Sequence, residues 1–357
     1  MHRSVIRLSA HARGTMLGMR LGGEPLGTTS SDERDEHSAD SPLVTIGMPV
    51  YNGAAYVEQA IMSLLAQTEG DFVLHISDNY SEDATAEICL RLAAEDPRIH
   101  YQRQERNLGA SGNFLHVLQA AHSPYFMWAA HDDTWEPDFL KVTLGMLRSS
   151  PEAVGCAVGR QGIIPETGLR WKLSPPTALS DTNPVVRSRG TFLAGGWHAI
   201  YGLYRRDALQ LEPPVLHDVH FADGLFVFRM SLHGAYVVNR RTLQQYRDLG
   251  YSTKSVGPEA HLYSGNFIPA TRLMWHYAGE PGLLSRHQRA SIRRHILWKW
   301  FTFTRDWAAR INLERGSRAY RGGQYPRLVI ILIKQLFLRP SDLLNQARRR
   351  LGPGSGS

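Results

Sequence analysis

Between residues 43 and 150 the chain switches four times from a short apolar run to an amphipathic stretch of helical period, and this alternation restricts the fold more than any other feature. LVTIGMPV, FVLHIS, RIHYQR and PYFMWAA read as strands. AAYVEQAIMSLLAQ, ATAEICLRLAAED, ASGNFLHVLQAAH and PDFLKVTLGMLRSS read as helices. Strand, helix and strand repeated at this pace predict a parallel sheet with right-handed crossovers. Ligands of open α/β sheets bind beyond the carboxyl ends of the strands. The loops PVYNG, SDNYSEDAT, ERNLGAS and HDD then fall on one edge. Any one of them also reads as ordinary turn or cap chemistry, with Ser81 and Asp83 as caps of the second helix. Four on the same edge point to a site.

The pattern weakens after residue 150. CAVGRQGII reads as a strand and PPTALSDTNP as a loop. GTFLAGGWHAIYGLYRRDAL reads as helix or loop, then a short strand, then a turn. HDVHFADGLFVFRMSLHG enters a helix that ends at Gly234, and AYVVNRRTLQQYR gives two short strands. Beyond Gly257 the chain is helical in pattern, basic and aromatic. The expected organisation is a disordered segment over 1–41 and a folded domain over 42–255. That domain divides into halves at 42–150 and 151–255. A helical basic region over 256–350 and a flexible tail over 351–357 follow.

Composition removes several classes. Apolar content of 43% and charged content of 20% suit a chain that buries a core. No run approaches the roughly 20 apolar residues of a bilayer-spanning helix; the longest, LVIILI, is far shorter. MHRSVIRLSAHARG has arginines but no apolar core, so no cleaved secretory signal is expected. Cys89 and Cys156 sit in apolar segments without metal spacing, as buried thiols of a reducing compartment would. The net charge of +7 is concentrated between Arg286 and Arg350, with 16 Lys/Arg against 3 Asp/Glu. The rest of the chain is therefore net acidic, and the basic balance does not by itself imply nucleic acid. For the basic tail three readings stand: helices packed on the acceptor side, interfacial helices on an anionic membrane, or a nucleic-acid surface. Aromatics without a nucleic-acid motif argue against the third. The expected location is cytoplasmic, with a peripheral contact on the inner face of the plasma membrane.

Two adjacent acids, Asp132 and Asp133, follow the fourth strand and need a positive partner: Arg, Lys or a divalent cation. A hard cation takes one or two carboxylates together with phosphate oxygens and water. The chain has no GxxxxGK[ST] and no GxGxxG after its first strand, so a P-loop or a dinucleotide site is poorly supported. A nucleotide diphosphate without a P-loop points to a nucleotide-sugar.

Residues from about 43 to 250 resemble a family 2 glycosyltransferase with the GT-A fold. The resemblance is carried by PLVTIGMPVYNGAAYVEQAIMSLLAQT, ISDNYSEDAT, RNLGASGN, AAHDDTWEPDFL and ADGLFVFRMSLHG, in the family's order. It implies an α/β fold of GT-A type, a Rossmann-like, mainly parallel sheet flanked by helices, with a helical basic C-terminal extension. It implies that Pro49, Tyr51, Asn52, Asp78, Asn79, Arg106, Asn107 and Asp132 contact the nucleotide. Asp133 would hold Mg²⁺ or Mn²⁺, and Asp223 would be the catalytic base. Arg247 would support the diphosphate. Trp197 and His198, before the IYGLYRRDAL strand, read equally as support for the diphosphate or acceptor and as core. The implied reaction is an inverting, metal-dependent hexosyl or deoxyhexosyl transfer, from a UDP- or dTDP-sugar to a hydroxyl of a glycan or lipid-linked acceptor. The implied setting is cell-surface polysaccharide or glycolipid synthesis, without nucleic acid.

The chain departs from the family pattern at four points. Asn79 stands where a second acid is common, His131 where a third acid is common, and Ala222 before the base. The His that often follows the Tyr246-Arg247 pair is absent. His217 and His220 read as loop histidines near the acceptor rather than metal ligands. Two alternatives stay open. One is an impaired relative that binds a sugar nucleotide or a partner. The other is a sugar-1-phosphate nucleotidyltransferase, against which PVYNGAAY counts because it has no Lys or Arg.

Overall fold

A computed structural model describes residues 41–193, 196–210, 221–248 and 267–299. The chain divides into two units, Met1–Ser38 and Ala39–Ser357, and every described residue lies in the second. His217, His220 and most of the basic tail lie outside the described residues.

The first four predicted strands form one half of a mixed sheet: β1 Val44–Val50, β2 Phe72–Asp78, β3 Ile99–Arg103 and β4 Tyr125–Trp128. They are parallel and run in the order β3-β2-β1-β4. Every residue of β1 and β4 is buried, which is why both read as unbroken apolar runs rather than as alternation. The helices between them are α1 Val57–Leu65, α2 Thr85–Glu95 and α3 Gly109–Gln119, and α4 Phe139–Arg148 follows. The chain leaves β1 toward β2 on one side and returns to β4 on the other. The carboxyl ends of β1 and β4 therefore flank a crevice.

The second half is mostly antiparallel in its connections to the first. Its strands are β5 Thr134–Trp135, β6 Gly155–Ile163, β7 Arg170–Leu173, β8 Leu203–Arg205 and β9 Tyr236–Arg247. β8 runs antiparallel to both β4 and β6, while β6 runs parallel to β9. Two strands, β5 and β7, were not expected. β5 has two residues, too few for a period, and pairs Thr134 with Gln245 and Trp135 with Gln244. The two short strands expected in AYVVNRRTLQQYR are one strand. The register steps from Val158 opposite Asn239 to Gly159 opposite Thr242, so Arg240 and Arg241 form a bulge that interrupts the alternation. Gly159 makes this possible: a Cβ there would lie 2.6 Å from the Arg240 carbonyl oxygen. The expected turn at RRDAL is the short helix α6 Arg206–Gln210. The PPTALSDTNP loop contains a 3₁₀ turn, Thr177–Ser180.

The sheet's two faces carry separate cores. One packs Ile46, Met48 and Leu74 with Ile61, Leu64 and Leu144 of α1 and α4. The other centres on Trp128, fully buried, with edge-on contacts to Phe126 at 4.8 Å and Phe226 at 5.1 Å. Its indole N–H donates to the Phe114 carbonyl at 3.0 Å, so burial leaves no polar atom of the ring unpaired. Helix α5, Pro184–Gly190, is capped by Asn183, whose side chain accepts from Val185 N. Helix α7, Ala222–His233, buries Leu225, Phe228 and Leu232 against Met274, Ile292 and Ile296. Met274 belongs to the helix Phe267–Tyr277, and the last two to a helical segment over 286–299. These are the described part of the expected helical extension. The two cysteines are free and buried.

Candidate active site

Four loops leave the carboxyl ends of β1 to β4, and hydrogen bonds tie them together. The β1 loop binds the β2 loop through its backbone. Asn52 N donates to Ser81 Oγ at 2.9 Å, Gly53 N to Thr85 Oγ1 at 2.8 Å and Ala54 N to Asp83 Oδ2 at 3.0 Å. Asn52 has a left-handed φ of 50°, and its side-chain oxygen accepts from Glu82 N. Asn tolerates this conformation because its short polar side chain bonds locally. Pro49 lies at the buried end of β1 opposite Ser77, and Tyr51 is 44% exposed just beyond it.

Asp78 closes β2 with a fully buried carboxylate. Oδ1 accepts from Ser81 N and Oδ2 from the Tyr101 hydroxyl, both at 2.8 Å, and Arg103 Nε stands 3.9 Å away. An ionised carboxylate has about four acceptor sites, so these contacts leave capacity for a ligand N–H. Asn79 is spent differently. Its Nδ2 donates to Asn107 Oδ1 at 2.9 Å and to the Gly109 carbonyl at 3.3 Å, and its Oδ1 accepts from Leu108 N at 2.7 Å. The side chain thus clamps the β3–α3 loop and has no donor left over. Arg106 and Asn107 are exposed on that same loop.

The acid pair occupies the turn between β4 and β5. His131 packs over Gly53, where a Cβ would come within 2.6 Å of its ring. Burial pushes the His131 imidazole pKa down. The Asp132 carbonyl accepts from Arg247, which also donates to Gln59 of α1 and lies 4.8 Å over the Tyr56 ring. Asp133 is 3% exposed, and its Oδ2 accepts from Arg160 Nη2 at 2.5 Å and from Gln244 Nε2 at 3.1 Å. Strand register explains the meeting. β9 pairs with β5 directly after Asp133, and it places Gln244 opposite Arg160 on β6. Burial pushes Asp133 above the usual carboxylate range, against the pull of the Arg160 guanidinium.

Arg160 is itself 3% exposed. Its guanidinium lies 4.9 Å from the Tyr201 ring and 4.8 Å from the Tyr246 ring, and Nη1 is 2.8 Å from His198 Nδ1. Arginine only donates, so His198 Nδ1 accepts. Burial, and then Arg160, push His198 down to about 3, which keeps the imidazole neutral. Trp197 precedes it and lies edge-on to Phe221 at 5.9 Å.

Asp223 sits in the first turn of α7, behind Phe221 with its left-handed φ of 69°. Phe221 holds the N-cap position, so the carboxylate is not the cap. Asp223 Oδ1 accepts from Gly224 N at 2.7 Å. Burial pushes Asp223 up to about 6, against that hydrogen bond. Asp133, Asp223 and Asp132 all raise the Tyr201 hydroxyl pKa, with burial the larger cause. All three carboxylates thus act electrostatically on the same hydroxyl.

Arg160, Tyr201 and Gln244 escape a reading of the sequence. One signal was present: an arginine inside the apolar run CAVGRQGII, which a buried strand tolerates only with an anionic partner.

Residues 45–215 match the sequence model of glycosyl transferase family 2. An uncharacterized glycosyltransferase of Rickettsia typhi is 33% identical over 107 residues, which are 30% of this chain and 32% of that protein. A Bacillus subtilis glycosyltransferase named for teichuronic acid biosynthesis is 33% identical over 103 residues, 29% of this chain and 41% of that one. Chondroitin synthase of Escherichia coli is 27% identical over 168 residues, 45% and 24%. The chain thus spans well under half the length of these relatives. Among solved structures, S. aureus TarS 1–349 superimposes with a TM-score of 0.59 at 16% identity, over 82% of this chain and 81% of that one. Its complex with UDP-GlcNAc superimposes at 0.57 and 18% identity, over 74% of each. The architecture is GT-A.

Proposed function

We propose, on the match of residues 45–215 to glycosyl transferase family 2, that the chain moves a sugar from a nucleoside-diphosphate donor to a hydroxyl of a glycan or lipid-linked acceptor. The observation that carries this reading is the placement of Asp132 and Asp133 in the turn that follows β4, at the carboxyl edge of the parallel strands, with Asp223 in the first turn of α7. The donor proposed is a UDP- or dTDP-sugar. The buried Asp78 carboxylate, at the end of β2, suits the N3–H of a pyrimidine, and TarS of the same fold has been crystallised with UDP-GlcNAc. Relatives named for teichuronic acid and chondroitin support a role in cell-surface polysaccharide or glycolipid synthesis.

In the proposed reaction Asp223 accepts the proton of the acceptor hydroxyl as that oxygen attacks the anomeric carbon. A carboxylate held near pKa 6 is a stronger base than a solvated one, yet is mostly ionised at neutral pH. A single base, with in-line displacement of the nucleoside diphosphate, inverts the configuration. Arg247, anchored on the Asp132 carbonyl and on Gln59, is the cation proposed to meet charge on the leaving diphosphate.

The resemblance also implies Mg²⁺ or Mn²⁺ on Asp133. The side chains present do not fit a resident dication as they stand. The Asp133 carboxylate is already paired with Arg160, and no three His, Cys, Asp or Glu among the described residues form a metal-ligating group. No step above is routed through a metal.

Peripheral contact with an anionic membrane is proposed for the C-terminal region. Its described helical segment carries Arg286, Arg289, Arg293 and Arg294, with Trp298 56% exposed. No helix among the described residues is long and apolar enough to cross a membrane.

The test is titration of the full chain with UDP, dTDP and GDP, followed by donor hydrolysis and transfer assays with the matching sugars. Binding of one diphosphate, with transfer abolished in Asp223→Asn but binding kept, is expected. Loss of neither binding nor turnover in Asp223→Asn removes it as the base. Binding without turnover in the unsubstituted chain favours the impaired-relative alternative.

A further inference from the structure

We propose that Arg160 fills, at Asp133, the place expected for a divalent cation, so that nucleoside diphosphate binding by this chain requires no metal. The inference rests on the donor-site reading given above. Three observations carry it.

The carboxylate expected to hold the metal is already neutralised. Arg160 Nη2 and Asp133 Oδ2 are 2.5 Å apart, and each side chain is 4% exposed. At that separation and burial the single positive charge of the guanidinium balances the single negative charge of the carboxylate. A dication on the same oxygens would sit against it, with little water to screen the repulsion.

The guanidinium is also fixed from every other side. The rings of Tyr201 and Tyr246 lie 4.9 Å and 4.8 Å from it, and the His198 Nδ1 lone pair takes a further N–H. Gln244 holds the same carboxylate oxygen as Arg160. An arginine that had only to step aside for a metal would need none of these contacts. A planar fork packed on two aromatic rings cannot swing away without breaking those contacts.

The hydrogen-bonding capacity that remains suits an anion better than a cation. Arg160 Nε is buried with no hydrogen-bond partner. It is a donor, and only an acceptor, not a cation, could complete it.

The experiment is calorimetric titration of the full chain with UDP, dTDP and GDP, in EDTA and in Mn²⁺, for the unsubstituted protein, Arg160→Lys and Arg160→Met. The expected result is binding of one diphosphate with affinities within about twofold in the two buffers. Arg160→Lys keeps a charge at Asp133 and is expected to stay indifferent to metal. Arg160→Met frees the carboxylate and is expected to bind at least tenfold more weakly in EDTA, with Mn²⁺ restoring affinity. Should Arg160→Met fail to fold, the Mn²⁺ electron paramagnetic resonance signal of the unsubstituted chain with its nucleotide decides. A free-ion spectrum is expected, and stoichiometric loss of that signal overturns the inference. Tightening of tenfold or more by Mn²⁺ in the unsubstituted chain overturns it while leaving the donor site intact. No binding of any diphosphate in either buffer overturns the donor-site reading, and this inference with it.

Discussion

Arg160 and Asp133 stand 27 residues apart in the chain and meet at 2.5 Å, with both side chains buried. Neither residue is stable there alone. Burying an unpaired charge costs several kcal/mol, whereas a buried pair replaced on both sides by neutral groups is often close to neutral. Arg160→Met alone is therefore expected to destabilise the fold by about 3–5 kcal/mol. Asp133→Asn combined with Arg160→Met is expected to recover a large part of that loss. Urea denaturation of the two single variants and the double variant checks it, and additive losses would contradict the pairing.

A second expectation concerns pH. Burial raises Asp223 to about 6 in the folded chain, from an ordinary value near 3.8. As a base it works only when ionised. Hence kcat/KM is expected to climb with pH and level off above a midpoint near 6. Asp223→Asn should cost roughly 10²- to 10⁴-fold in kcat. Stability moves the other way. Between the two pKa values the folded chain binds more protons than the unfolded one, so stability falls as pH rises from about 4 to 6. Above pH 6 Asp223→Asn is expected to be the more stable protein, by about 1–3 kcal/mol at most. Melting curves of both proteins across pH 4 to 8 test it; parallel curves would show that the carboxylate is not strained by burial.

The contrast between these two residues shows what the sequence makes legible. β1 to β4 are readable because buried parallel strands appear as plain apolar runs and their helices keep a 3.6-residue period. Asp132, Asp133 and Asp223 are readable because each sits where an apolar element begins or ends. Arg160 is not, since its role depends on a register that β9 sets between β5 and β6. That register passes through a bulge at Arg240 and Arg241, where the period-two signal breaks and one strand looks like two. Long-range pairing through a bulge leaves only a local oddity, a charged residue within an apolar strand.

Asn79 gives a third prediction. The family resemblance leads one to expect a carboxylate at this position, and introducing it looks conservative. Here both amide protons are used, on Asn107 Oδ1 and the Gly109 carbonyl. Asn79→Asp would set a carboxylate oxygen against those two acceptors. The expected outcome is a loss of about 1–3 kcal/mol in stability and weaker, not tighter, nucleotide binding as the β3–α3 loop loosens. Thermal melts and UDP titration of Asn79→Asp measure both. Tighter UDP binding at unchanged stability would return Asn79 to the role of a base contact.

The last prediction links the β1 loop to the acid turn. Gly53 lies under the His131 ring, and a Cβ there would come within 2.6 Å of His131 Cδ2 and 2.7 Å of Val50 Cγ2. Val50 is in the core and cannot yield, so the imidazole must move. His131 stands next to Asp132, whose carbonyl anchors Arg247. Gly53→Ala is thus expected to cost about 1–3 kcal/mol of stability by overpacking and to weaken diphosphate binding through Arg247. His131→Ala removes the ring side of the clash and leaves the Val50 side in place. The double variant Gly53→Ala with His131→Ala is therefore expected to regain part of the stability lost by Gly53→Ala alone. If His131→Ala adds its own cost to that of Gly53→Ala instead, the clash is not with the ring, and the β1 loop and the acid turn are not coupled through this contact.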